Sequence, residues 1–472
     1  MSKKWFIFFG AILLMLFSSV ALAAQAKLPP LPQTKSKVDH TGLIQQYDGA
    51  ATCLNLICHP NALNEVVNSL HYKNKSVAPA VYKKDGKTPL GGEWGQVNRL
   101  CGLPGSIAVI NWIGILTPLD SSKPSQNGGC ARCHIGNGVY PENATEEDKK
   151  EIDCLICHAE KYDMSKRKVV KTEKGFRMEF DKSLEAAQSV GGKIPKENCL
   201  RCHKNPAGGP WWKRGVNFSP ERDVHIAKGM QCVDCHKAVN HKFEHGNDPG
   251  EWAWDDPNRE IKCENCHKAG KGQTIHKNPT LDKHTSRISC KVCHIPTIGG
   301  VVTRDFINVQ YNSVTGIYDA KADPFDESYK TKPTYFWYNG KGTEELMPLG
   351  SRSDKKSKIS TFKPLSTVLP WDPVANKPIY QSLGVLSIYG DPFKAIAKGK
   401  ELYQLQNLYL TGWMMPKKIT GYFSVSHDIT KKNALKCQDC HSSKNYLNLA
   451  KLGYTAAEVK KLTNSKDKRF LK

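Results

Sequence analysis

Seventeen cysteines and sixteen histidines are the residues in this chain with obvious chemistry, and their spacing is strict. Seven cysteine pairs have two intervening residues and a histidine directly after: Cys130/Cys133-His134, Cys154/Cys157-His158, Cys199/Cys202-His203, Cys232/Cys235-His236, Cys263/Cys266-His267, Cys290/Cys293-His294 and Cys437/Cys440-His441. An eighth, Cys53/Cys58-His59, has four intervening residues. Covalent haem needs two thiols for its two vinyl groups and an imidazole that reaches the iron. On a helical turn, residues i and i+3 share a face, and a histidine at i+4 projects beneath the same ring. C-x-x-C-H is the shortest segment that meets both demands and reads as c-type haem attachment. The wider spacer at Cys53 delivers the same three groups from a larger loop. The expected cofactor content is therefore eight haem c.

Other uses of cysteine fit less well. Zinc knuckles group their ligands in fours and give no reason for a histidine after every second cysteine. A disulfide framework, the usual reading of many cysteines in an exported chain, would not impose that histidine either.

Eight histidines follow the motifs as proximal ligands. The other eight are His40, His71, His225, His241, His245, His276, His284 and His427. Among eight irons most of these are expected to be distal ligands. Two readings stay open at this point. Eight spare histidines suffice to close every haem, which describes a pure electron conduit. If another residue takes one distal position, a histidine is left over and one iron becomes a substrate site.

The elements that must position these groups are short. Six motifs occupy residues 130–294, with successive first cysteines 24 to 45 residues apart. Little room remains for a conventional apolar core, so porphyrin must supply buried apolar surface. The expected fold is mainly α with much irregular structure, a haem-packed multihaem arrangement with a few short strands. Ser183 to Val190 reads as a helix stopped by Gly191-Gly192, and Thr455-Ala-Ala-Glu458 has the capping-box pattern of a C-terminal helix. Residues 301–430 hold no motif and read as an aromatic and basic wrap. The remaining expected divisions are 1–26, a leader; 27–300, a core with seven motifs; and 431–472, the eighth motif and the last helix.

The leader expectation rests on Lys3-Lys4 followed by an apolar run from Trp5 to Ala23, ending in small-x-small sites at residues 21–26. Cleavage there would leave an exported chain, periplasmic or extracellular, with no membrane span. The formal charge of +23 would ordinarily suggest nucleic acid. Loss of Lys3 and Lys4 leaves +21, and sixteen propionates would reduce this to +5 with ferrous irons, or +13 with ferric irons. Much of the lysine excess thus balances cofactor charge. Small anions and acidic redox proteins, other cytochromes or quinol-linked donors, are the expected partners.

The ordered motifs and their flanks resemble the octahaem tetrathionate reductase family. The carrying segments are residues 130–138, 152–158 and 190–203, Asp223-Val-His225, Trp337-Tyr-Asn-Gly340, Leu349-Gly-Ser351, His427, and Leu452-Gly-Tyr454. The resemblance implies seven bis-histidine haems and one catalytic haem, the second, whose distal ligand is a lysine. It implies reduction of small sulfur or nitrogen oxyanions, such as tetrathionate or nitrite, or of hydroxylamine. The family's pocket asparagine and cysteine correspond to Asn98 and Cys101, the latter the one cysteine outside the motifs. The family's lysine corresponds to Lys213 in Gly208-Gly-Pro-Trp-Trp-Lys213, with Pro210 standing where family members carry an aspartate.

Overall fold

The computed structural model describes residues 39–73, 129–139, 141–204, 218–247, 255–267, 275–300, most of 303–402, and 414–464, with two-residue strand pieces at 76–77, 93–94, 97–98 and 108–109. Residues 39–472 form one compact unit. The expected leader, 1–26, and Cys101 and Lys213 lie outside the described residues.

The haem motifs sit on single turns, as their spacing requires. Helical turns span Leu155–His158, Lys196–Cys202, Cys232–Cys235, Cys290–His294 and Cys437–Cys440, and 3-10 turns span Gly129–Arg132 and Cys263–Asn265. Such short helices need help at their ends, because nearly all their backbone groups are terminal. Two motifs supply that help themselves. Asp234, between Cys232 and Cys235, accepts from the Gln231 N–H at 2.8 Å, and Asp439, between Cys437 and Cys440, accepts from the Lys436 N–H at 2.8 Å. The expanded first motif uses Asn55. Its side-chain oxygen accepts from the N–H groups of Ile57 and Cys58 at 3.1 and 2.9 Å, and its amide donates to Thr52 O at 3.1 Å. The four-residue spacer is thus a closed turn.

The two helices expected outside the motifs are present. Leu184–Gln188 begins on the Ser183 side chain, which accepts from the Ala186 N–H. Ala456–Leu462 carries the reciprocal Thr455/Glu458 cap. Ala186 and Ala187 pack with Ile152, Leu155, Ile156, Ala159, Tyr162, Val66 and Tyr72 in an apolar cluster around the second and third motifs.

The strands are longer than expected. A six-stranded sheet is formed by β1 (Thr303–Asn312), β2 (Ile317–Asp323), β3 (Thr334–Tyr338), β4 (Lys358–Asp372), β5 (Lys377–Pro378) and β6 (Met415–Ser424). The path runs β2-β1-β4-β3, with β5 and β6 also pairing with β4. β4 has fifteen residues, most of them buried. Its β-branched and aromatic content favours an extended chain, and it accommodates Pro364 and Pro370. Pro364 is tolerated because it falls where β4 changes neighbour: residues 358–362 pair with β3, and 366–368 pair in parallel with β1. A missing N–H costs nothing in that gap.

This sheet is attached to the haem-bearing turns. Ser289 N–H donates to Ile359 O, Ile359 N–H donates to Arg287 O, and Leu435 N–H donates to Cys293 O. Val292 of the seventh motif packs with Tyr335, Trp337, Ile359, Leu447, Leu449 and Leu452.

Candidate haem centres

Six motif histidines each face a histidine from outside the motifs. The pairs are His203 with His71, His158 with His241, His267 with His225, His236 with His427, His294 with His276, and His441 with His284. Their ring centroids are 6.0 to 6.3 Å apart. Imidazoles on opposite sides of one metal have two metal–nitrogen bonds of about 2 Å, and a ring radius of about 1.1 Å at each end, so their centres lie roughly 6 Å apart. The spacing therefore fits one iron between each pair. Ordinary ring stacking would bring the planes closer, and four of the six pairs are far from parallel.

Two neighbouring histidines differ in setting. His59 of the first motif is exposed, yet partial desolvation of its ring lowers its pKa, followed by His40 and His241. His40 is thus its electrostatic neighbour. His245 sits elsewhere: Nδ1 lies 2.6 Å from Gly246 O and Nε2 lies 3.3 Å from Pro257 O.

His134 of the second motif is held differently from the paired histidines. It is buried, its Nε2 lies 2.6 Å from Tyr72 O, and its Nδ1 accepts from the Gly136 N–H at 3.1 Å. A Cβ on Gly136 would come within 2.8 Å of His134 Cε1, so only glycine allows the chain this close to the ring. Burial pushes the His134 pKa down to about 4, and His158 likewise to about 4. Both are neutral at physiological pH, the form in which imidazole binds metal.

The backbone of this motif is gripped by one side chain. Arg167 is sealed from solvent and donates to Arg132 O at 2.6 Å, to Ala131 O at 3.1 Å and to His134 O. Its fourth bond is the 2.7 Å ion pair to Asp153, the residue directly before Cys154 of the third motif. Tyr162 O–H donates to the same carboxylate at 2.5 Å. Burial raises the Asp153 pKa, and Arg167 and Tyr162 pull it back.

The motifs adjoin one another. The sulfur atoms of Cys53 and Cys154, Cys133 and Cys202, Cys199 and Cys232, and Cys263 and Cys290 are near neighbours across motifs. Cys157 neighbours Cys199 and Cys202, Cys235 neighbours Cys266, and Cys293 neighbours Cys437 and Cys440. These contacts link all eight motifs in one series, with the second attached through the fourth.

Of the residues that the resemblance points to, Asn98 lies in a two-residue strand, Val97–Asn98, paired with Ala108–Val109. Cys130 lies in the Gly129–Arg132 turn. Glu65, Asp282, Tyr72, Asp153 and Arg167 are site neighbours that sequence reasoning did not single out. A lone acid or arginine in a chain this rich in charge has no local signature. Only Asp153, adjoining a motif cysteine, stood where it could have been noticed.

Comparison with known proteins agrees with this geometry. A family model described as bacterial cytochrome c matches residues 305–444. An uncharacterized protein of Archaeoglobus fulgidus is 30% identical over 242 residues, covering 44% of this chain and 79% of that protein. The crystal structure of an octahaem cytochrome c from Shewanella oneidensis shares the fold with a TM-score of 0.60 at 21% identity, covering 89% of this chain and 97% of the other.

Proposed function

We propose that the chain, which belongs to one family with the archaeal relative and shares the fold of an octahaem cytochrome c, is an exported octahaem oxidoreductase that reduces a small anion or hydroxylamine at its second haem. Tetrathionate and nitrite are the anions in view. Haem supplies one-electron exchange and, at an iron with an exchangeable distal ligand, a place to bind and reduce a small molecule. The other seven motifs would hold the electron-transfer centres.

The observation that carries this reading is the allocation of the eight spare histidines. Six face motif histidines at the spacing of a shared metal. His40 neighbours His59, and His245 has both ring nitrogens at backbone carbonyls. With His40 at the first motif, seven histidines pair with seven motif histidines, and the family resemblance then points to Lys213 as the distal ligand of the second. A buried amine beside a metal loses its proton and becomes a ligand.

In this reading Asn98 and Cys101 orient the substrate. Arg167, through the carbonyls of residues 131, 132 and 134, keeps the second motif in place. With Pro210 where relatives carry an acid, protons must reach the substrate from another group or from solvent. A mildly basic surface suits acidic electron-donor proteins. No helix of the described residues is long and apolar enough to cross a membrane.

Lys213→Leu and Lys213→His test the assignment in fully loaded protein. Leucine should open one iron of eight to cyanide. Histidine should give one more bis-histidine signal and suppress turnover of tetrathionate, nitrite or hydroxylamine. If both variants keep wild-type spectra and activity, Lys213 is a surface residue and the chain is better read as an electron conduit.

A further inference from the structure

The six histidine pairs differ in what stands behind them. The Nδ1 atoms of the eighth-motif pair both face backbone carbonyls: His441 faces Leu462 O at 2.9 Å, and His284 faces Thr280 O at 2.8 Å. In the fifth-motif pair, His236 Nδ1 faces Glu244 O at 3.2 Å. Two pairs instead have a carboxylate within hydrogen-bond reach of the non-motif histidine. His241 Nδ1 lies 3.0 Å from Glu65 Oε2, and His276 Nδ1 lies 2.6 Å from Asp282 Oδ1. His294, the partner of His276, keeps a carbonyl, Thr430 O at 2.9 Å.

A third acid, Asp223, comes near His225, but at 3.4 Å. Its oxygens already accept from the N–H groups of His225, Ile226 and Ile429. It is therefore occupied as a helix cap and a strut to residue 429.

We propose that Glu65 and Asp282 are potential-setting residues, which place the haems of the third and seventh motifs below the carbonyl-backed fifth and eighth in potential. This rests on the ligand pairs assigned above. A carboxylate accepting from Nδ1–H draws that proton toward itself and makes Nε2 a stronger donor; a carbonyl does so less. A stronger donor favours ferric over ferrous iron and lowers the potential. The two centres lie apart in the series. The third motif adjoins the first and fourth, and the seventh adjoins the sixth and eighth. Electrons moving along the chain would therefore meet two low-potential stations.

The two pairs are distinguishable by spectroscopy. His276 and His294 are nearly coplanar, at 10°, whereas His158 and His241 stand at 72°. Glu65→Gln and Asp282→Asn should be compared with the parent by potentiometric titration followed by electron paramagnetic resonance, on holoprotein with its haem count measured. One midpoint potential should move upward in each variant: that of a large-g-anisotropy signal for Glu65→Gln, and that of a rhombic signal for Asp282→Asn. Glu65→Asp and Asp282→Glu, which keep the charge, should stay nearer the parent than the amides do. Unchanged potentials in fully loaded amide variants would overturn the proposal. So would equal upward shifts in the carboxylate and amide variants, which would point to packing. The ligand reading has its own readout. His276→Met should abolish one rhombic signal, and its persistence would mean that His276 is not a ligand, whatever Asp282 does.

Discussion

Arg167 and Asp153 meet in a buried ion pair, Nη1 to Oδ2 at 2.7 Å, with both side chains closed to solvent. The pair joins the second motif, whose carbonyls Arg167 holds, to the third, whose first cysteine follows Asp153. Breaking such a pair from one side leaves an uncompensated charge, at a cost of about 3–5 kcal/mol. Arg167→Met and Asp153→Leu should each lower the melting temperature strongly. The double replacement should recover much of the loss. A double variant as unstable as the sum of the singles would mean that the carbonyl contacts, not the ion pair, carry the stability.

Haem content tests the expanded first motif. Intact mass and the pyridine haemochrome assay should give eight haems on a chain lacking its first 23 to 26 residues. Asn55→Ala removes the turn that sets the Cys53–Cys58 spacing. It should reduce occupancy at this motif alone, seen as a seven-haem species by mass. Seven haems in the parent protein would mean that Cys53 and Cys58 do not form an attachment site.

The ring planes predict two classes of low-spin signal. Parallel imidazoles split the iron dπ orbitals and give rhombic spectra, and perpendicular ones leave them nearly degenerate and give a large g anisotropy. His236/His427 and His276/His294 are near parallel, at 17° and 10°. The other four pairs lie at 62° to 72°. Electron paramagnetic resonance of the oxidised protein should therefore show both classes. His427→Met should remove a rhombic signal, and His284→Met a large-g one; the reverse assignment would contradict the ring geometry.

Lys363, in the middle of β4, is sealed from solvent, and burial pushes its pKa down to about 7. Unfolded lysine titrates near ~10.4. Between these values the unfolded chain holds a proton that the folded chain does not, so stability rises with pH across this window. It is lowest below about pH 7, where the folded protein must carry the charge. The effect is on the order of a few kcal/mol. Lys363→Met should raise the melting temperature at pH 6 and flatten its rise toward pH 10. A pH profile parallel to that of the parent would mean that Lys363 titrates normally.

The eight cysteine–cysteine–histidine motifs were legible in the sequence because haem attachment is local. Two thiols and one imidazole must come from one turn, so their spacing in the chain is their spacing in space. The same holds for the Ser183 and Thr455 helix starts, whose capping partners lie three residues away. The pairing of these histidines is not local. His71 meets His203, and His284 meets His441, across more than a hundred residues. Composition supplied eight spare histidines without saying which iron each would serve, or that His245 would turn both ring nitrogens to carbonyls. The length of strand Lys358–Asp372 was not legible either, since whether a proline-bearing segment stays extended depends on which neighbour needs the missing N–H. Glu65, Asp282 and Arg167 looked like any solvated charge. What sets them apart is the imidazole or carbonyl that each one faces, and only the tertiary structure brought those groups together, because hydrogen bonds act over about 3 Å of space, whatever the distance along the chain.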